Sequence, residues 1–431
     1  MNVKIENIGF IKKADIDIDG LVVIAGENDS GKSTIGKLLF SIIKSIARYR
    51  EDLEEDKEKN IKKIVENIYF NIRRRVNFQE NGEVRELFIP PKFIKDISSK
   101  KIEAIEYRKD YLNKIDLNIN LKNNIDEKLL TLEELLKQND DENEAMKRAF
   151  KKILHSEFES DILNRDSQNA SIEIIEGENR ILDIKINETN NINFDLLDEF
   201  YFNDSSFIET PLILNFNEMI GEAKSYFETR DKEEILFSLG LPNVNFHTKD
   251  IDLKLKESIY EDDFNENIEL FETISNIIGG DIKYSKEDRD FVFFKNKKEK
   301  YKNINTASGI KSFGILQMLL KGGFLDERSL LIIDEPEVHL HPKWQLNYAE
   351  IITTLVKNGV NIIITTHSPY MLEALEIFSK KEKINSNYYF SKKVNNDIEF
   401  YDVKYKLEDV YETLSEPFSK LEELSLDSIF K

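Results

Sequence analysis

The chain has 431 residues, a formal net charge of -21 and no cysteine. Its length is sufficient for two domains, or for one domain with a large insertion. The absence of cysteine excludes disulfides and cysteine-bound zinc. The acidic charge disfavours a general nucleic-acid binder, although a local basic groove is compatible with it. No run of eighteen or more apolar residues occurs and the N-terminus has no signal-peptide core, so we expect a cytoplasmic protein that does not cross a membrane.

The N-terminal segment predicts strands that lead into a phosphate-binding loop. Residues 3–8 and 14–18 have the periodicity of two edge strands, and residues 21–25 (LVVIA) that of a buried strand. From Thr34 to Ile46 the apolar spacing predicts a helix that ends near Tyr49. Between strand and helix lies a full match to the pattern GxxxxGK[ST], formed by Gly26, Glu27, Asn28, Asp29, Ser30, Gly31, Lys32 and Ser33.

This strand, loop and helix together indicate a nucleotide site. The glycines let backbone N–H groups face an anion, and the helix N-terminus adds the positive end of its dipole. Lys32 is expected to reach the β- and γ-phosphates of ATP, and the Ser33 hydroxyl to bind Mg²⁺. Because so short a pattern also occurs by chance, the prediction rests on its context, and residues 26–34 are the predicted nucleotide-binding segment.

The middle of the chain predicts a large insertion. Residues 51–60 are a solvated charged run that leaves the nucleotide lobe. Residues 61–70 and 87–97 are interpreted as helical or mixed, with a break at Pro90 and Pro91. Residues 99–158 have helical spacing without a sustained heptad repeat, so a compact helical insertion is expected. The basic cluster at 73–75 is interpreted as a solvated helix face in preference to a nucleic-acid contact. We therefore assign 1–50 and 280–431 to one domain and 51–279 to a mainly helical insertion.

Within that insertion, two segments depart from helical character. Residues 171–186 predict a β-hairpin across the turn EGENR, and residues 199–214 predict a return to the sheet. Residues 216–278 are expected to be helical, including the acidic cluster at 261–263. A second hairpin is predicted over 279–294.

The C-terminal third contains three polar segments at the ends of predicted elements. Ser308 and Gly309 precede a predicted helix at 310–320, where Ser308 is expected to cap the helix. Asp334 and Glu335 follow the buried strand LLII at 330–333, and Pro336 ends it. His367 follows another buried strand, at a position where a lone histidine is more often structural than chemical.

Taken together, these motifs resemble the ABC-like ATPases of the SMC/RecF type, and within them bacterial AAA-domain ATPases of the overcoming-lysogenization-defect (OLD) type found in phage-defence systems. The resemblance rests on the phosphate loop, SGIK at 308–311, DEPEVHLHP at 334–342 and TTHSP at 365–369. It covers roughly residues 1–50 and 280–380. It implies an α/β P-loop NTPase fold with a mixed sheet, interrupted by the insertion.

The resemblance also implies roles for the site residues. Ser33 and Asp334 would position Mg²⁺, Glu335 would deprotonate the attacking water, and His367 would contact the γ-phosphate. Ser308 and Gly309 would complete the site from a second subunit, which makes a homodimer with ATP between the subunits. The glutamine that such ATPases carry after the insertion is not found in residues 199–214. His339 and His341 are interpreted as structural or dimer-facing in preference to metal ligands.

What the ATPase drives is left open by the sequence. Only 64 residues follow His367, fewer than the ~100 of a usual domain, so no Toprim nuclease domain is expected. The first hypothesis is a nucleotide-driven dimerisation switch with a separate effector, a nuclease or toxin, as in the phage-defence systems of the Septu or PARIS kind. The alternative is a RecF-like DNA-repair ATPase that binds DNA. A third is a nucleotide-binding scaffold without activity, which the intact motif residues disfavour.

Overall fold

The computed structural model describes the chain except for residues 77, 80, 116, 117, 138–140, 160, 161, 224–242, 259–267, 297, 396, 430 and 431, and except for the side chains of 55, 418, 419 and 422–429. The predicted acidic cluster at 261–263 lies outside the described residues. The described strands are β1 (Asn2–Ile8), β2 (Ile11–Asp17), β3 (Leu21–Gly26), β4 (Asn169–Glu176), β5 (Asn179–Asn187), β6 (Ile192–Leu196), β7 (Asp204–Ile208), β8 (Gly280–Ser285), β9 (Asp290–Lys295), β10 (Glu299–Lys302), β11 (Ser329–Asp334), β12 (Asn361–Thr366), β13 (Ser386–Val394) and β14 (Asp397–Asp402).

The described helices are α1 (Lys32–Arg73), α2 (Gly82–Phe88), α3 (Pro90–Lys100), α4 (Ile102–Lys114), α5 (Ile119–Lys137), α6 (Glu142–Phe158), α7 (Asn217–Glu222), α8 (Phe246–Glu257), α9 (Ile268–Ile278), α10 (Ser308–Lys321), α11 (Pro342–Lys357), α12 (Pro369–Glu382) and α13 (Leu407–Ile429). Short 3-10 segments lie at Pro211–Phe216, Asn303–Asn305 and Pro336–His339. None of the helices in the described ranges combines the length and the apolar character needed to cross a membrane.

Eleven strands form one mixed sheet in the order β6-β5-β4-β1-β2-β14-β13-β3-β12-β11-β7. The segment from β13 to β7 is parallel throughout, and β3, β11 and β12 are almost wholly buried apolar runs, as strands covered on both faces must be. Strands β8, β9 and β10 form a separate antiparallel sheet. The mixed α/β sheet behind a phosphate loop confirms the predicted fold class.

The parallel segment brings the ends of β3, β12 and β11 side by side. In the register, Thr366 lies opposite Ala25, and Thr365 lies opposite both Ile24 and Asp334. The carboxyl ends of these strands therefore share one edge of the sheet, which is where open α/β folds bind their ligands.

The chain divides into two compact units, and the division differs from the predicted one. One unit contains Met1–Ala47 and Met146–Lys431, and the other contains Arg48–Ala145. Residues 146–279, expected in the insertion, belong with the sheet, because β4 pairs with β1 and extends the sheet through β5 and β6. The hairpin predicted at 171–186 is thus confirmed, but it forms part of the main sheet.

The smaller unit, Arg48–Ala145, is helical, as predicted. Its core is a cluster of buried aliphatic and aromatic side chains that includes Val65, Phe88, Ile105, Ile125 and Leu129. Arg108 is buried in it, 3.9 Å above the ring of Phe93, with its guanidinium paired to Asp96 at 2.6 Å. The predicted break at Pro90 and Pro91 is the junction of α2 and α3, since Pro90 is accepted at the start of a helix.

Several predicted element boundaries are wrong. The first helix does not end near Tyr49 but continues to Arg73, because the charged run at 51–60 has no helix-breaking residue. Strands β1 and β2 are interior, not edge, strands, since β4 and β14 flank them. The return to the sheet is confined to β7; residues 199–202 form no strand, and Pro211 begins a 3-10 segment. The cluster at 73–75 is exposed to solvent.

Candidate nucleotide site

The phosphate loop joins β3 to α1, and its backbone has two positive φ angles and a glycine packed closely against β13. Asp29 and Gly31 have positive φ angles of 60° and 73°. A Cβ atom on Gly26 would lie 2.1 Å from the Ser391 Oγ atom and 2.8 Å from the Ser391 carbonyl oxygen, so β13 leaves room only for glycine. The Ser30 and Ser391 hydroxyls are 2.6 Å apart and hydrogen-bond. The loop is therefore held against β13 by contacts that a larger residue would break.

Lys32 is buried inside the loop. Its ammonium donates to the carbonyl oxygens of Gly26 at 3.0 Å and Glu27 at 2.7 Å. It also lies 3.5 Å from the Glu335 carboxylate. Glu27, Asn28 and Asp29 are exposed, and the Thr34 side chain is partly buried at the start of α1. The ammonium thus faces both the loop and the end of β11.

Ser33 and Asp334 are brought together from opposite ends of the sequence. The Ser33 hydroxyl donates to Asp334 Oδ2 at 2.7 Å, and the Thr365 hydroxyl donates to Asp334 Oδ1. Burial raises the pKa of the Asp334 carboxyl, and these two hydrogen bonds oppose that shift without cancelling it. Thr365 holds the carboxylate from β12, a role that its place at a strand end did not signal.

Glu335 adopts a left-handed backbone conformation, with φ 45° and ψ 56°. Such a conformation is costly for a residue other than glycine, by about 1–3 kcal/mol, and persists where surrounding contacts impose it. Here the Glu335 N–H is shared between the carbonyl and the hydroxyl oxygens of Thr365, both at 3.1 Å. In this conformation the Glu335 carboxylate lies near both Lys32 and His367, 3.3 Å from His367 Nδ1.

Glu337 is a site residue that the sequence interpretation missed. It is buried and accepts hydrogen bonds from the Thr366 hydroxyl at 2.6 Å and the His367 N–H at 2.9 Å. Burial raises the pKa of its carboxyl. Its Oε1 atom lies 3.5 Å from His367 Nδ1, so the carboxylates of Glu335 and Glu337 both lie within ion-pair distance of the same ring nitrogen, although neither contact has hydrogen-bond geometry. The second acidic residue of DEPE was the available signal.

Ser308 and Gly309 lie at the start of α10. The predicted Ser308 cap is wrong, because Ala307 occupies the N-cap position and Ser308 is already helical. A Cβ on Gly309 would lie 2.8 Å from Trp344, so the glycine lets the Trp344 ring pack on the helix. Among the described residues, neither Ser308 nor Gly309 hydrogen-bonds to the phosphate loop of the same chain.

His339 and His341 have structural partners. The His339 ring contacts the Thr210 hydroxyl at 3.2 Å, and burial lowers its pKa. The His341 Nδ1 atom accepts from the Lys343 N–H at 3.3 Å and caps α11. In the part of the chain that the structure describes, no group of three or more histidine, aspartate or glutamate side chains is arranged to hold a metal ion.

The donor set at Ser33 and Asp334 nevertheless fits Mg²⁺. This ion takes hard oxygen ligands and is usually bound by one or two protein groups together with phosphate oxygens and water. A hydroxyl and a carboxylate oxygen 2.7 Å apart, next to a phosphate loop, are ligands of that kind. An acidic group whose charge is disfavoured by burial also favours a nearby cation.

Comparison with known families settles the family. A family profile described as "AAA domain, putative AbiEii toxin, Type IV TA system" matches residues 21–373, most of the chain. The chain belongs to this AAA-domain family. The matched range begins at the first residue of β3 and includes the phosphate loop, Asp334, Glu335 and His367, so the residues of the site all lie within it.

Individual proteins match this chain over shorter segments or at lower identity. The Septu protein PtuA of Bacillus thuringiensis is 42% identical over 52 residues, 12% of this chain and 13% of that protein. The Old nuclease of Escherichia phage P2 is 46% identical over 46 residues, 11% of this chain and 8% of that protein. The SMC head domain from Thermotoga maritima is 11% identical with a TM-score of 0.40, covering 93% of this chain and 98% of that one.

Proposed function

We propose that this AAA-domain protein binds and hydrolyses ATP with Mg²⁺, and that ATP-driven dimerisation is its output. The observation that carries the proposal is the convergence of Lys32, Ser33, Asp334, Glu335 and His367 at one sheet edge, although the sequence separates them by up to 335 residues. The left-handed backbone of Glu335 beside the buried Lys32 costs stability, and strain of this kind is typical of functional sites.

The loop residues hold the phosphates in this proposal. The backbone N–H groups of the loop and of the first turn of α1 face the anion, and the Lys32 ammonium, now on two loop carbonyls, exchanges them for phosphate oxygens. Ser33 and Asp334 would hold Mg²⁺, which when bound neutralises charge on the phosphoryl group. Asp334 keeps its ligand oxygens oriented through the hydroxyl donors of Ser33 and Thr365.

Glu335 is the proposed general base. Its carboxylate is part-exposed and lies 3.5 Å from Lys32, so it can reach a water next to the phosphate end of the loop. His367 lies on its other side, with its backbone held by Glu337, and orients the same water and the γ-phosphate. The left-handed turn at Glu335 directs the carboxylate towards Lys32 and His367.

The proposed homodimer depends on the N-terminus of α10. Ser308 and Gly309 begin a 14-residue helix whose N-terminus is partly exposed and makes no bond to its own phosphate loop among the described residues. In a head-to-tail homodimer this terminus would meet the ATP of the other subunit. The resemblance to OLD-type ATPases and the segment shared with the Septu protein support a role in phage defence, with a separate effector that reads the dimer.

The test is Glu335→Gln, which keeps size and hydrogen bonding but removes the base. We expect ATP binding to be retained, turnover to fall by about 10²- to 10⁴-fold, and ATP to trap a dimer visible by light scattering. The matched control is Glu199→Gln, at an exposed glutamate whose ion-pair partner is Arg328. It should behave as the wild type.

Each outcome separates one hypothesis from another. Full turnover in Glu335→Gln would reject the assignment of the base. Loss of turnover without an ATP-dependent dimer would reject the switch and keep the ATPase. Strong stimulation of wild-type turnover by duplex DNA would favour the repair-type alternative over a switch that awaits a protein partner.

A further inference from the structure

The hairpin of β13 and β14 contacts the phosphate loop at both glycines of its motif. Ser391 lies opposite Gly26 in the parallel register of β13 and β3, and a Cβ atom on Gly26 would lie 2.1 Å from the Ser391 hydroxyl oxygen. On β14, the Ile398 side chain lies against Gly31, 3.4 Å from the position of a Cβ atom there. Both hairpin residues follow the family-matched range 21–373 and have no role in the mechanism above.

Ser391 joins two parts of the loop region through one hydroxyl. Its Oγ atom lies 2.6 Å from the Ser30 Oγ atom and 3.3 Å from the carbonyl oxygen of Ala25, near the end of β3. A hydroxyl has one proton to donate and a carbonyl oxygen only accepts. Both bonds are therefore made when Ser30 donates to Ser391 and Ser391 donates to Ala25. Both serines are buried, 4% and 1% exposed, so water cannot readily replace a lost partner.

Ser30 lies in the part of the loop with the least favourable backbone conformation. Asp29 before it and Gly31 after it both have positive φ angles. A residue other than glycine keeps such a conformation only where surrounding contacts impose it. The Ser30 side chain supplies a contact of this kind, because its hydroxyl is buried and bonded to β13. Removal of the Ser391 hydroxyl would release the turn at its centre.

The shape of the loop determines how well it binds an anion. A phosphate loop contacts phosphates largely through backbone N–H groups, which face the anion only in one backbone conformation. A loop that keeps this conformation without ligand binds at its intrinsic affinity. A loop that spends only a fraction of its time there binds more weakly in proportion to that fraction. A residue that holds the empty loop therefore sets nucleotide affinity.

We propose that Ser391 is a positioning residue for ATP binding, and that it acts through Ser30 to keep the phosphate loop in the conformation that accepts the phosphates. The inference rests on the proposed nucleotide function. It concerns affinity and not the chemical step, because Glu335 and His367, the residues proposed to act on the attacking water, follow other strands, β11 and β12.

A double-mutant cycle tests whether Ser391 acts through Ser30. Ser391→Ala, Ser30→Ala and the double variant are titrated with a fluorescent ATP analogue and Mg²⁺, and kcat is measured at saturating ATP. We expect each single substitution to weaken binding of the analogue about three- to tenfold, the effect of one hydrogen bond, and to leave kcat within about twofold of the wild type. The double variant should bind no more weakly than either single variant, because both substitutions remove the same bond.

Ser45→Ala is the matched control. Ser45 is also a buried serine, on α1, and its hydroxyl donates to the Ile42 carbonyl oxygen at 2.7 Å. The variant should bind the analogue as the wild type does. Urea unfolding followed by the fluorescence of Trp344, in the same compact unit, shows that each variant is folded. If Ser391→Ala does not fold, Ser391→Cys takes its place in the cycle, since a thiol fills the space of the hydroxyl but is a weak hydrogen-bond partner.

The contrary outcomes are distinct. Unchanged affinity for the analogue in Ser391→Ala, with only a lower urea midpoint, would mean that Ser391 merely packs against the loop, and overturns the inference. Strictly additive effects of the two substitutions would show that Ser391 does not act through Ser30, and also overturn it. Wild-type protein that does not bind the analogue at all overturns the proposed function itself.

Discussion

A buried network of four charged side chains fixes α1 to β7, and Lys44→Met is expected to break it. The Lys44 ammonium on α1 lies 2.5 Å from Asp204 and 2.7 Å from Asp250. Lys254 on α8 completes the network, 2.5 Å from Asp204 and 3.5 Å from Asp250. Burial lowers the pKa of the Lys44 ammonium, but the two carboxylates outweigh it and the net shift is upward.

The magnitude follows from the charge that the substitution leaves behind. Two lysines and two aspartates balance, so removing Lys44 leaves one uncompensated negative charge, with Asp250 itself almost fully buried. Breaking a buried pair in this way costs about 3–5 kcal/mol of unfolding free energy. We expect the lower end of that range, because Lys254 still contacts Asp204 and donates to the Ser205 carbonyl and the Ser206 hydroxyl.

The assay uses the single tryptophan of the chain. Trp344 packs edge-on against Phe313, 5.6 Å between ring centres, in the same compact unit as Lys44. Urea unfolding followed by its fluorescence therefore reports that unit and not the helical unit Arg48–Ala145. Lys380→Met, at an exposed lysine paired with Glu376 one turn earlier on α12, is the matched control and should leave the midpoint unchanged.

A charge-restoring second substitution tests the reasoning directly. Asp250→Asn in the Lys44→Met background leaves Lys254 paired with Asp204, so the double variant should be about 2 kcal/mol more stable than the sum of the single effects predicts. Strictly additive effects would show that lost packing, and not uncompensated charge, explains the cost. A Lys44→Met midpoint equal to that of the wild type would refute the network as a stabilising element.

Two further predictions concern the site and the acid range. Glu337→Ala leaves the Thr366 hydroxyl and the His367 N–H without their acceptor, and each unsatisfied donor should lower the free energy of unfolding by about 1–3 kcal/mol. The substitution should lower kcat more than Glu337→Gln does, while KM for ATP stays the same. Equal kcat values for the two variants would contradict the proposed orientation of His367. Burial raises the pKa of Asp204, but Lys44 and Lys254 outweigh it and hold that pKa below its ordinary 3.8. The stability contributed by Asp204 is therefore fully present above pH 3.8 and is lost as the pH falls through the lower folded-state value. Urea midpoints of Asp204→Asn should depend less on pH in that window than those of the wild type, and parallel profiles would rule out this contribution.

The phosphate loop and the strand-end carboxylates could be predicted from sequence because their signals are local. A loop with glycines at defined spacing needs only a preceding strand and a following helix, and both are read from apolar periodicity. The same holds for β11 and β12, whose buried runs end where Asp334 and His367 begin. The hairpins β4–β5 and β8–β9 were likewise marked by alternation and turn residues.

The predictions that were wrong depended on non-local contacts. Helix α1 runs through a charged segment that composition alone marks as an exit from the domain. The hairpin β4–β5 was placed in the insertion, since nothing in its own residues shows that β4 pairs with β1 some 170 residues earlier. The Ser308 cap failed by one residue, within the usual uncertainty of helix ends.

The sequence by itself determined which chemical groups the protein has: a phosphate loop, a strand-end Asp-Glu pair and a strand-end histidine, each defined by residues within a few positions of one another. The tertiary structure alone decided which side chains support them. Thr365 and Glu337 approach the site from a strand and from a 3-10 segment, and the parallel register of β3, β12 and β11 brings them within a hydrogen bond of Asp334 and of the His367 backbone. That register is set by burial of the whole sheet, which no short segment encodes.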